Sequence, residues 1–98
     1  MFHSHARCAA LYGILANATL SPDYKRHYSS QLESHAKIGI KLTPDTGKFR
    51  HQFEAEAASL GKEIAVLQTP RKQADYMQLE TGKCVDALVR YAKFIGAY

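Results

Sequence analysis

The chain holds three prolines, and each follows a hydroxyl residue: Ser21-Pro22, Thr43-Pro44 and Thr69-Pro70. This repeated step constrains the fold more than any other feature. A Ser or Thr at a helix N-cap accepts a hydrogen bond from a backbone N–H that has no partner within the helix. Proline at the next position gives up nothing, because its missing N–H would have been unpaired there. Asp23 and Asp45 follow two of the steps and put negative charge where the helix dipole favours it. Three such starts divide the chain into segments of about 1–20, 21–42, 43–68 and 69–98.

Each segment repeats its apolar residues with helical spacing. Cys8, Leu11, Tyr12, Leu15 and Ala18 share a face in the first. Tyr24, Tyr28, Leu32 and His35 or Ala36 line up in the second, which closes on Ile38, Ile40 and Leu42. Phe49, Phe53, Ala57, Leu60, Ile64 and Leu67 make a heptad-like stripe in the third. Met77, Cys84, Leu88, Tyr91 and Ile95 do so in the fourth, flanked by Val85 and Ala92. Period-two alternation is nearest in "KIGIKL" (Lys37–Leu42), which reads as a frayed helix end before Thr43. Gly13, Gly61 and Gly82 lie inside these patterns, each costing about 1 kcal/mol relative to alanine. Close approach of neighbouring helices is the expected compensation, and Gly82 is also a candidate break in the fourth helix. The pattern predicts one all-α domain over 1–98, a small antiparallel four-helix bundle.

The stretch "RCAALYGILANA" (Arg7–Ala18) admits two readings. Arg7, an apolar run and the small-x-small Ala16-Asn17-Ala18 resemble an export signal with its cleavage site. Yet the run is short and broken by Tyr12 and Gly13, and histidines stand where basic residues are expected. An amphipathic first helix is the favoured reading. The chain's two cysteines, Cys8 and Cys84, then lie on apolar faces of the first and last helices and are candidates for a disulfide stapling the bundle. Such a bridge implies a periplasmic or otherwise extracytoplasmic protein, with any export signal upstream of Met1; two buried thiols would fit a cytoplasmic one. Helix register weighs against the bridge: Cys84 lies well back from the chain's end, so the fourth helix would have to overhang.

Chemistry-bearing patterns are sparse. Five histidines occur, at 3, 5, 27, 35 and 51. Met1-Phe2-His3 has the form of an amino-terminal Cu(II) or Ni(II) site, which makes His3 the one weak metal candidate. His27 and His35 are two turns apart and too distant to chelate alone. No Glu-x-x-His, C-x-x-C, glycine-rich phosphate loop or nucleophile elbow is present. The expectation is neither an enzyme nor a cofactor protein. Net charge is +4, with Lys25-Arg26 and Arg71-Lys72 as the tightest basic pairs; their convergence would make a nucleic-acid-binding or regulatory surface. The acids interspersed along the chain disfavour that reading. No run of eighteen apolar residues spans a membrane. Apolar faces on all four helices suit a non-catalytic protein-binding module of inhibitor, immunity or accessory type. Phe2, Tyr76 and Tyr98 are its candidate anchors. Pairing of two copies is another way to bury the surplus apolar surface.

Overall fold

The computed structural model describes residues 2–43 and 45–96. Four helices follow in order: α1 (Phe2–Ala18), α2 (Pro22–Leu42), α3 (Thr46–Ala65) and α4 (Pro70–Phe94). Two of the three hydroxyl–proline steps begin helices as expected. The Ser21 hydroxyl accepts from the Tyr24 N–H, and the Thr69 hydroxyl accepts from the Lys72 N–H. The middle step differs. Thr43 closes α2, its N–H bonding the Gly39 carbonyl, and Asp45 is the N-cap of α3, accepting from the Gly47 and Lys48 N–H groups. A carboxylate at that position caps better than a hydroxyl two residues upstream can, because it also complements the dipole. Pro44 lies outside the described residues. "KIGIKL" stays helical as far as Leu42.

The largest departure from expectation is the role of α1. It is buried almost all round: His5, Ala6, Cys8, Ala9, Ala10, Leu11, Tyr12 and Ala16 are all inside, whereas Ala18 is exposed. Small side chains let three helices pack around one axis, so α1 is the hub rather than one wall of a square. His5 meets His35 and Tyr12 meets Tyr28, so α2 runs antiparallel to α1. Phe2 packs on Phe49, and Arg7 reaches Glu56 and Glu63, so α3 runs parallel to α1. His5 meets Tyr91, and Cys8 meets Cys84, which makes α4 antiparallel. Leu11 and Leu60 are the largest fully buried apolar side chains, with Phe53, Ala57, Tyr76 and Met77 packed around their cluster.

The glycines fall differently from the prediction. Nothing lies within 4 Å of a Cβ added at Gly61 or Gly82, and α4 runs unbroken through Gly82. The close approach is at Gly39, where an added Cβ would sit 2.3 Å from the Phe49 ring. Gly13 faces Leu32 at 3.3 Å. The α4 stripe is also rotated. Glu80, Cys84 and Ala87 are buried, while Val85 and Ile95 are each 56% exposed. Tyr24, expected on the inner face of α2, is 60% exposed.

Candidate functional site

Cys8 and Cys84 stand with their Cα atoms 5.7 Å apart and their sulfurs at bonding distance, forming a disulfide that closes a 76-residue separation. The overhang this register demands is present. Ten residues of α4 follow Cys84 as far as Phe94, which is 63% exposed. The last of α4 therefore projects beyond its contact with α1, and Phe94 and Ile95 there are more than half exposed among the described residues.

One turn before Cys84 lies a polar cluster that no local spacing announces. The Arg7 guanidinium donates to Glu56 at 3.2 Å, to Glu63 at 2.9 Å and to Glu80 at 2.5 Å. Tyr76 donates its hydroxyl to Glu63, and Lys83 pairs with Glu80 at 2.8 Å. Three helices thus meet on one cation. Burial opposes the charge on Arg7, but the bonds to Glu80, Glu63 and Glu56 outweigh it and raise its pKa. Burial likewise opposes the Glu80 carboxylate, and Lys83 and Arg7 outweigh it, so Glu80 titrates below its ordinary range. Glu63 is also lowered, by Tyr76 first and Arg7 second. Six side chains from three helices thus pair with one another, which is the pattern of a structural clamp.

On the other flank of α1, His5 and His35 face each other with Nδ1 atoms 2.8 Å apart, both fully buried. One ring donates and the other accepts, and neither Nε2 has a partner. Tyr12 stacks on His35 and Tyr91 stands edge-on to His5. Burial holds both histidines neutral, lowering each pKa to about 4; nearby positive charge, Arg90 included, adds to the effect at His5. His27, paired with His35 only by its spacing, is exposed. Among the described residues, no three His, Cys, Asp or Glu side chains are placed to hold a metal. His3 is exposed, and Met1, which would supply the amine of an amino-terminal site, lies outside the described residues.

The remaining candidates are dispersed. Phe2 and Tyr76 turn inward, Phe2 onto Phe49 and Tyr76 into the Arg7 cluster, so neither is a free anchor. Tyr98 lies outside the described residues. Lys25, Arg26, Arg71 and Lys72 are all exposed near the starts of α2 and α4, at the same end of the bundle. Arg26 is paired with Asp23. The shallow depression beside Lys25 and Arg26 is completed by Ser29, Ser30 and Glu33 of α2, with neither Arg71 nor Lys72 in it.

A groove of about 580 Å³ runs between α1 and α4. Leu11, Val89 and the two cysteines form its apolar part, with Arg7, Lys83 and Arg90 along the edge. No helix is long and apolar enough to cross a membrane among the described residues. No family model, curated protein or solved structure matches this chain.

Proposed function

We propose that this chain is a non-catalytic protein-binding domain of inhibitor, immunity or accessory type, acting in a periplasmic or other oxidising extracytoplasmic compartment. The observation that carries the reading is the C-terminal end of α4, where Phe94 and the C-cap Ile95 are each more than half exposed among the described residues, on a helix tied to the core by a disulfide. Apolar side chains presented on a rigid, covalently tethered helix lose little entropy on binding, the condition under which a small surface gives useful affinity. The bridge supports the choice of compartment, since such bonds persist where thiols are not kept reduced.

A photoreactive residue in place of Phe94, incorporated in the source cells, tests the binding reading. A discrete cross-linked adduct from position 94, absent when the probe replaces the exposed Arg50 of α3, is the expected result. No adduct, or equal adducts from both positions, would overturn it. Alkylation of the unreduced, denatured protein from the same cells tests the compartment: two free thiols would remove the case for export.

A further inference from the structure

Six aromatic rings form an unbroken line through the core. Tyr24 lies against Tyr28 with ring centres 6.0 Å apart, Tyr28 against Tyr12 at 6.1 Å, and Tyr12 against His35 at 5.8 Å. His35 meets His5 at 5.0 Å, and His5 meets Tyr91 at 5.8 Å. Each spacing is that of neighbouring rings in contact. The line starts on α2, crosses between α1 and α2, and ends on α4. Both ends reach the surface: Tyr24 is 60% exposed and Tyr91 is half-buried, whereas Tyr12, His35 and His5 between them are buried.

Packing alone does not call for these residue types. Phenylalanine fills the same space without bringing a hydroxyl or ring nitrogens into the interior, where an unpaired polar atom is costly. The chain uses phenylalanine elsewhere: Phe2, Phe49 and Phe53 form a separate line where α1 meets α3. Between Tyr24 and Tyr91 every ring is either a phenol, which can give up one electron with its proton, or an imidazole, which can take that proton. With one histidine Nδ1 donating to the other, the donating ring keeps a lone pair on its unpartnered Nε2. A free base buried in the line is a feature that stability does not explain.

We propose that this line is a one-electron relay, entered at Tyr91 by a one-electron oxidant and discharged at Tyr24 to a small phenol or enediol reductant in solution. Tyr91 first loses an electron to the oxidant and its phenol proton to water, becoming a neutral tyrosyl radical. Tyr12 then supplies an electron across the two imidazoles, which bridge the phenols and are not themselves oxidised. Tyr91 takes a proton back from water, and the Tyr12 proton passes to the histidine pair, the base beside it. Tyr28 next reduces Tyr12, whose proton returns from the histidines, and Tyr24 reduces Tyr28. Tyr24 is where the radical settles, because its exposed hydroxyl gives its proton to water, while burial holds the Tyr12 hydroxyl in its protonated form. The reductant then restores Tyr24 to the phenol. The net change is one electron from reductant to oxidant, with the chain unaltered.

The test uses the oxidised chain with Phe94→Cys, labelled at that thiol with a ruthenium polypyridyl photo-oxidant; Cys8 and Cys84 are bridged and do not take the label. Phe94 lies against Tyr91, so the oxidant is placed at the entry. All chains also carry Tyr98→Phe, so that this phenol does not compete. The ruthenium is flash-oxidised with a cobalt(III) quencher in the presence of a nitroso spin trap, and trapped residues are located by peptide mass spectrometry. The expected result is trap bound at Tyr24, with a yield per chain that does not change with protein concentration. Tyr12→Phe and Tyr28→Phe keep the ring and remove the oxidisable hydroxyl, and each should abolish most of the Tyr24 adduct while trap on Tyr91 increases. Tyr76→Phe, off the line in the Arg7 cluster, should leave the Tyr24 yield unchanged. Circular dichroism confirms that each variant is folded. No adduct at Tyr24, an adduct that survives Tyr12→Phe and Tyr28→Phe, one that falls equally with Tyr76→Phe, or a yield that rises with protein concentration would each overturn the relay.

Discussion

Arg7 bonds Glu80 at 2.5 Å, and the residue after Arg7, Cys8, is bridged to Cys84, one turn beyond Glu80. The ionic and covalent links between α1 and α4 are therefore side by side, and together they hold a helix that otherwise has little packed against it. α4 should be the element most dependent on the bridge.

Cys8→Ser/Cys84→Ser is expected to lower stability by about 4 kcal/mol, the chain-entropy value for a loop of this size. The same loss should follow reduction of the wild-type chain. Urea unfolding monitored by circular dichroism, with and without a dithiol reductant, measures both. Hydrogen exchange should show α4 losing protection first, ahead of α1 and α2.

Removing Arg7 tests the clamp. Arg7→Met leaves Glu56, Glu63 and Glu80 without their shared cation, and Glu80 is buried. Breaking such a cluster from one side costs about 3 kcal/mol, because the remaining charge stays desolvated. In the variant, burial acts on Glu80 with less opposition and its pKa rises, so the deficit should shrink as pH falls from 7 to 5. Arg7→Met/Glu80→Gln should recover part of the loss at pH 7. Midpoints of urea unfolding at the two pH values measure all three effects.

The glycines divide by their surroundings. Gly39→Ala should destabilise by about 1–3 kcal/mol, because the Phe49 ring lies 2.3 Å from the new methyl group and must move. Adding Phe49→Leu should relieve part of that cost. Gly61→Ala and Gly82→Ala meet open space, so each should stabilise by up to about 1 kcal/mol through helix propensity. Thermal melts of the four variants separate the two classes.

What could be read from the sequence was local. Ser21-Pro22 and Thr69-Pro70 fix two helix starts by groups within three residues of each other, and the apolar spacing of each segment marks it as helical. Thr43-Pro44 misled because a hydroxyl can close one helix as well as open the next, and Asp45 competes for the cap. The pairing of Cys8 with Cys84 was legible as a possibility only, since it depends on how far α4 slides past α1. The Arg7 cluster left no trace, because Glu56, Glu63 and Glu80 are scattered over two helices and converge only in space. His5 and His35 lie thirty residues apart, and polar residues on an apolar face look like interruptions until their partner is known. The hub role of α1 had one signal, the alanines at 6, 9, 10 and 16, which exceed what a single buried stripe needs.

That buried histidine pair gives the chain an acid sensitivity with a defined window. Each folded-state pKa is lowered to about 4, against about 6.5 in the unfolded chain. The unfolded state therefore binds more protons between these values, and stability is full above pH 6.5 and falls as pH drops toward 4. Between pH 7 and pH 5 the loss should be about 2 kcal/mol for each histidine. The lowered carboxylates Glu63 and Glu80 act in a different window, contributing above their ordinary pKa and losing that contribution below it, so they do not imitate the effect at pH 5. His5→Leu/His35→Leu removes both titrating groups and the two unpartnered Nε2 atoms at once. The double variant should keep nearly the same urea midpoint at pH 7 and pH 5, while the wild-type midpoint falls. A wild-type midpoint that does not move over that range would mean that water reaches the pair and keeps the rings close to their ordinary pKa.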